Sequence, residues 1–173
     1  DELPDTEEAD IEGAARKGDL IYWVASHGRD RRGARAWARH QLFSTRWSQG
    51  PGGIALRYVG GSGELAKALT DPTQWRDGQE HQGLIRLLAQ ATSLSRKKAR
   101  ELAPKDAGLN IEALTVSPLG GLLIGLRNPL LEGKAIVVEL SNPSEVIADG
   151  RAPRFDGAFL LDLGGRGLRA MTR

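Results

Sequence analysis

Asp10-Ile11-Glu12-Gly13-Ala14 and Asn110-Ile111-Glu112-Ala113-Leu114 lie 100 residues apart and carry the same order of polar and apolar side chains. A glycine turn and an apolar run follow each: Gly18-Asp19-Leu20-Ile21-Tyr22-Trp23-Val24 after the first, Gly120-Gly121-Leu122-Leu123-Ile124-Gly125-Leu126 after the second. Polar clusters close both runs, Ser26-His27-Gly28-Arg29 in one and Arg127-Asn128-Pro129 in the other. Another apolar run comes next in each, Gln41 to Trp47 and Ala135 to Leu140. Runs of this length separated by Gly, Pro, Asn and Asp predict short antiparallel strands. Ile54 to Val59 and Ala158 to Leu163 extend the series.

The stretch between the two copies differs. Ser62 to Leu69 and Gly83 to Ala103 hold few turn residues, and Leu84, Leu87, Leu88, Ala91, Leu94 and Leu102 recur at helical spacing. Arg96, Lys97, Lys98 and Arg100 suit the C-terminal end of that helix, where cations meet the negative end of the dipole. Residues 60–109 are therefore expected to be a mainly helical insertion. Without it, each copy spans about 45–50 residues, the period of a four-stranded propeller blade. The expected fold is mainly β with a helical insertion: a partial β-propeller of about two four-stranded antiparallel blades. The first blade takes residues 8–59, the second residues 110–165, and residues 166–173 open a next blade with Leu168 to Thr172 as its first strand. Propellers close with about four to eight blades. The reading therefore expects a fragment of a larger ring, or a ring completed by copies. The start at Asp1 rather than Met points the same way.

Composition narrows the function classes. The 173 residues form one domain. With no cysteine, disulfides, thiolate zinc sites and cysteine nucleophiles are excluded, and both cytoplasm and periplasm remain open. No apolar run approaches the ~18 residues that cross a membrane as a helix. A net charge of +2, from 24 basic and 22 acidic residues, is too balanced to predict a nucleic-acid partner. The distribution is uneven, with Arg29, Arg31, Arg32, Arg35 and Arg39 clustered in one stretch. That cluster reads either as a solvated loop between strands or as a contact for phosphate or another anion.

On a regular strand, residues i and i+2 face the same way. Asp10 then shares a face with Glu12, and Asn110 with Glu112. Were both to line the axis of one ring, their hard oxygens would suit Ca²⁺ or Mg²⁺. The competing reading has the same groups bonding backbone at strand entrances. His27, Arg29, Arg127 and Asn128 would stand at the same rim, where a histidine and an arginine suit a phosphorylated or carboxylated ligand. Alternatively Arg127 and Glu112 form a structural ion pair. Ser26 is a poor nucleophile for His27, because neighbours on a strand face apart. Neither a G-x-S-x-G elbow nor a P-loop is present.

The segments DIEGAARKGDLIYWVASHGRDRRG, NIEALTVSPLGGLLIGLRNPLLEGKAIVVEL and FLLDLGGRGLRAM resemble the bacterial DUF3616 proteins, a family of unknown function. The resemblance covers residues 8–60 and 108–172 and is weak through the insertion. It implies a β-propeller-like fold, distantly similar to esterase-like phytase domains, and no reaction. Two functions are then expected as alternatives. One is binding of a small anionic ligand or a divalent cation such as calcium, extended to metal-assisted hydrolysis of a phosphate or carboxylate ester. The other is a non-catalytic platform for a protein or glycan.

Overall fold

The computed structural model describes residues 8–30, 33–93 and 108–172. Two four-stranded antiparallel sheets carry the chain, each with its strands in sequence order. The first holds β1 (Ile11–Lys17), β2 (Leu20–Ala25), β3 (Leu42–Gly50) and β4 (Gly53–Ser62). The second holds β5 (Asn110–Val116), β6 (Leu122–Asn128), β7 (Ala135–Leu140) and β8 (Phe155–Leu161). Between the sheets come α1 (Leu65–Leu69) and α2 (Gln82–Thr92), and α3 (Pro143–Ala148) links β7 to β8. No helix among the described residues is long and apolar enough to cross a membrane.

Local chemistry explains the hairpins. Gly18, at φ +64°, makes the two-residue turn from β1 to β2, and Gly53, at φ +99°, follows the Pro51-Gly52 turn into β4. Glycine takes such angles without a Cβ clash. The helix α2 forms because Leu84, Ile85, Leu88 and Ala91 bury one face at helical spacing. The long helix expected over 83–103 is described only as far as Thr92. Its basic end, Arg96 to Arg100, lies outside the described residues, as do Arg31 and Arg32.

Directly opposed residues share a face of a sheet. On the first sheet Gly13, Ala15, Tyr22, Val24, Leu42 and Ser44 point one way. On the second, Leu114, Ile124 and Val138 share a face with Leu122 and Leu140. These two faces pack together and form the core. β1 lies against β5 so closely that a Cβ at Gly13 would sit 2.8 Å from that of Leu114. The helix α3 reaches back over the first sheet, where the Tyr22 hydroxyl meets Ser144 Oγ at 3.0 Å. A Cβ at Gly60 would collide there with the Ile147 carbonyl.

Several boundaries differ from expectation. β8 starts three residues earlier than the apolar run Ala158 to Leu163, because Phe155 already pairs with Leu140. It ends at Leu161, where Asp162 accepts from Gly164 N and turns the chain. Register shifts fall between Ile11 and Gly13 in β1 and between Ile111 and Ala113 in β5, so strict alternation breaks at Glu12 and Glu112. Residues 168–172 form no strand and lie against β6, Leu168 N donating to Leu126 O at 3.0 Å.

Candidate functional site: a basic cavity beside the first sheet

Where β2 ends, the chain turns sharply. His27 adopts φ +54°, an uncommon angle for a residue with a Cβ, and its N–H is held by Arg39 O at 2.9 Å. This turn buries the imidazole. Its Nδ1 lies 2.8 Å from Ala25 O. A carbonyl only accepts, so Nδ1 carries the proton and Nε2 presents a lone pair. Nε2 is buried and has no hydrogen-bond partner. His40 follows the short 3₁₀ turn Trp37–Arg39 and brings its ring to 5.5 Å from that of His27. Both of its ring nitrogens are likewise buried without a partner.

The two imidazoles line a cavity of about 250 Å³. Arg29 and Arg35 come from the loop after β2, Lys67 and Thr70 from α1 and its end, and Ala91, Thr92 and Leu109 close the far side. Arg29 fixes that wall by donating to Gly33 O at 3.0 Å, Thr92 O at 3.3 Å and Ser93 O at 2.7 Å. Arg35 stacks on Trp37, its Cζ 3.5 Å from the ring centre. Among the described residues, the lining contains three cationic side chains and no carboxylate. Burial pushes His27 down to about 3. Burial, with the charges of Arg35 and Arg29, pushes His40 down to about 4. Both rings are therefore neutral at pH 7, and burial beside Arg35 also lowers Arg29.

The acidic residues expected to share an axis do approach one another, but with arginines between them. Glu112 is buried in β5; its Oε1 accepts from Asn110 Nδ2 at 2.8 Å and from Arg127 Nη1 at 2.7 Å. Its Oε2 lies 3.2 Å from Arg169 Nε. The ion-pair reading of Arg127 and Glu112 is therefore the arrangement observed. Asp10 pairs with Arg39 at 3.2 Å, and Arg39 also reaches Glu8 at 3.3 Å. Burial, then the nearby carboxylates of Asp10 and Glu112, raises Glu12. Asn128 sits opposite Asn110 in the register, ahead of a cis bond to Pro129. Among the described residues no group of three or more His, Asp or Glu is placed to hold a metal ion.

Of the residues singled out from sequence, His27 and Arg29 thus enter the cavity, while Asn110, Glu112 and Arg127 form a separate ion-pair network beside Asp10 and Glu12. Arg39 and the bond from Ile111 N to Ser26 O, 2.8 Å, tie the two clusters together. His40, Lys67 and Thr70 were not among the residues singled out from sequence. His40 has no counterpart in the second half, and Lys67 looks like an ordinary surface residue of a helix. The density of arginines from Arg29 to Arg39 was the available signal.

A family model described as a protein of unknown function, DUF3616, matches residues 64–172, well over half of the chain. The chain belongs to the DUF3616 family. The match takes in α1, α2 and the whole second sheet, with Asn110, Glu112, Arg127 and Asn128. It differs in extent from the resemblance carried by the three quoted segments: the helical segment falls inside the DUF3616 match and the first sheet outside it. Lys67 and Thr70 of the cavity are within the match, whereas His27, Arg29, Arg35 and His40 precede it. No curated protein and no solved structure matches the chain.

Proposed function

We propose that this chain is part of a β-propeller-like ring and that its basic cavity binds a small anion bearing a hydroxyl group, such as a phosphate monoester or a hydroxy acid. The observation that carries the binding reading is the pair of neutral, buried, unpartnered imidazoles among Arg29, Arg35 and Lys67. Buried polar atoms normally have partners. The lone pair of His27 Nε2 asks for a donor, which a hydroxyl supplies. The guanidinium and ammonium groups ask for the anionic oxygens. Thermal unfolding with glycerol phosphate, inorganic phosphate and malate tests this. At least one should raise Tm for the native chain and fail to do so for Arg35→Ala with Lys67→Ala. Unmoved melting with all three, at low ionic strength, overturns the reading.

The hydrolytic reading gains one point from the same geometry. A neutral imidazole with a free lone pair has the protonation state of a general base. It predicts turnover of p-nitrophenyl phosphate or acetate that His27→Gln abolishes. Binding without turnover leaves a carrier or sensor.

Three observations support the ring. Each sheet runs as a four-stranded meander, β1 and β5 lie side by side, and each carries its register shift at the corresponding acidic residue. Residues 168–172 extend the pattern. Leu168 and Met171 meet Gly125, as Leu114 meets Gly13 beside Val24. The Glu12, Glu112 and Arg169 charges all act on one another there.

A further inference from the structure

The unpaired groups of the basic cavity constrain the hydrogen bonds its ligand must make. Nδ1 of His27 is taken by Ala25 O, so His27 offers one lone pair, at Nε2. A neutral imidazole carries one N–H and one lone pair in either tautomer. His40, with both ring nitrogens unpartnered, therefore offers one of each. The two rings, 5.5 Å apart between centres, thus ask for two donors and one acceptor. The threonine hydroxyls of the lining do not supply the donors. Thr70 donates to Lys67 O at 2.8 Å, and Thr92 to Leu88 O at 3.0 Å and Ala89 O at 3.2 Å.

A hydroxyl donates one proton, so a ligand with a single hydroxyl fills one lone pair and leaves the other empty. Two hydroxyls fill both, and an oxygen of either accepts from the His40 N–H. Because the two rings adjoin, the hydroxyls belong on neighbouring carbons. The cations favour phosphate as the anion. A phosphate monoester carries about −1.5 to −2 charges at pH 7 on three acceptor oxygens, enough to answer more than one cation. Arg35 is exposed at the cavity, and Lys67 meets Glu64 at 3.1 Å through exposed side chains, a pairing exchanged at small cost. The volume of about 250 Å³ lies below the roughly 300–1,000 Å³ of pockets for drug-sized molecules, so the ligand is small. Trp37, 58% exposed, stands 6.2 Å from the His40 ring with Arg35 over it, and offers apolar surface to the carbon side of a polyol.

We propose that the cavity takes a small polyol phosphate with hydroxyls on two adjacent carbons, the class of glycerol 3-phosphate and the smaller sugar phosphates. The hydroxyls donate to His27 Nε2 and to the His40 lone pair, and the phosphate lies on Arg35 and Lys67. This narrows the anion-binding reading above and rests on it. A site built to bond a hydroxyl discriminates strongly against a ligand that lacks it, because its own buried groups are then left unpaired.

Two isomers of equal charge test it by isothermal titration calorimetry of the native chain at low ionic strength. Glycerol 3-phosphate has adjacent hydroxyls and glycerol 2-phosphate separated ones. The first should bind at least about tenfold more tightly than the second, and more tightly than inorganic phosphate or malate. His40→Phe with native circular dichroism should still bind phosphate esters and no longer distinguish the isomers. A smaller or reversed preference in the native chain, tighter binding of malate, or an unchanged preference in His40→Phe overturns the diol assignment and leaves the anion reading standing. No binding of any of the four compounds overturns both.

Discussion

At the scale of single residues, the cavity depends on two imidazoles kept neutral by burial. His27 falls from 6.5 to about 3 and His40 from 6.5 to about 4. Between those values the unfolded chain binds protons that the folded chain does not. Stability is then complete above about pH 6.5 and declines as the pH falls toward 4, at no more than about 1.4 kcal/mol per pH unit for each proton. The Tm of the native chain should drop over that window, and His27→Gln should flatten the drop. An equal slope in the variant would place the titration elsewhere. Glu12 works in the opposite sense, since its raised value makes the acid form easier to keep when folded. The histidine slope is therefore best read with Glu12→Gln as background.

At the scale of elements, the shared apolar core of the two sheets is joined by close backbone approaches. Gly60 in β4 lets α3, a helix of the second half, lie on the first sheet. Ile147 and Val146 of α3 are buried there. Gly60→Val should push α3 away and cost about 1–3 kcal/mol, the usual range for overpacking. Denaturant titration would read it as a lower midpoint, with Gly50→Ala, at the open end of β3, as a control of a glycine with no neighbour and no left-handed backbone angle. Equal stability of Gly60→Val and the native chain would mean that α3 is not seated on β4.

Taken as a whole molecule, charge is spent on internal pairing at the place where a cation was expected. Asp10 faces Arg39, and Glu112 is held by Arg127 and Arg169. A divalent ion would have to displace two guanidinium groups from one buried carboxylate, exchanging charge-assisted hydrogen bonds for coordination. Neither added calcium nor a chelator should move Tm. A shift of several degrees with calcium would restore Asp10, Glu12, Asn110 and Glu112 as a cation site.

Strand positions were open to reading from the sequence because each apolar run is short and bracketed by turn formers. Leu20–Ala25 and Ala135–Leu140 run to the same ends in sequence and in structure. The helical character of α2 was equally plain from its spacing, since burying one face requires that period. The site was less legible. His40 and Lys67 lie 13 and 40 positions after His27, and no local rule relates them. They meet because α1 and the 3₁₀ turn pack at the end of β2. Which partner each carboxylate takes was also undetermined by local pattern, because Arg39 reaches Asp10 only across the folded first sheet and Arg169 reaches Glu112 only across the folded second sheet. Local preference sets the strands and their turns, which depend on neighbours along the chain. Contacts between distant residues depend on how the sheets stack, and only the tertiary structure decided those.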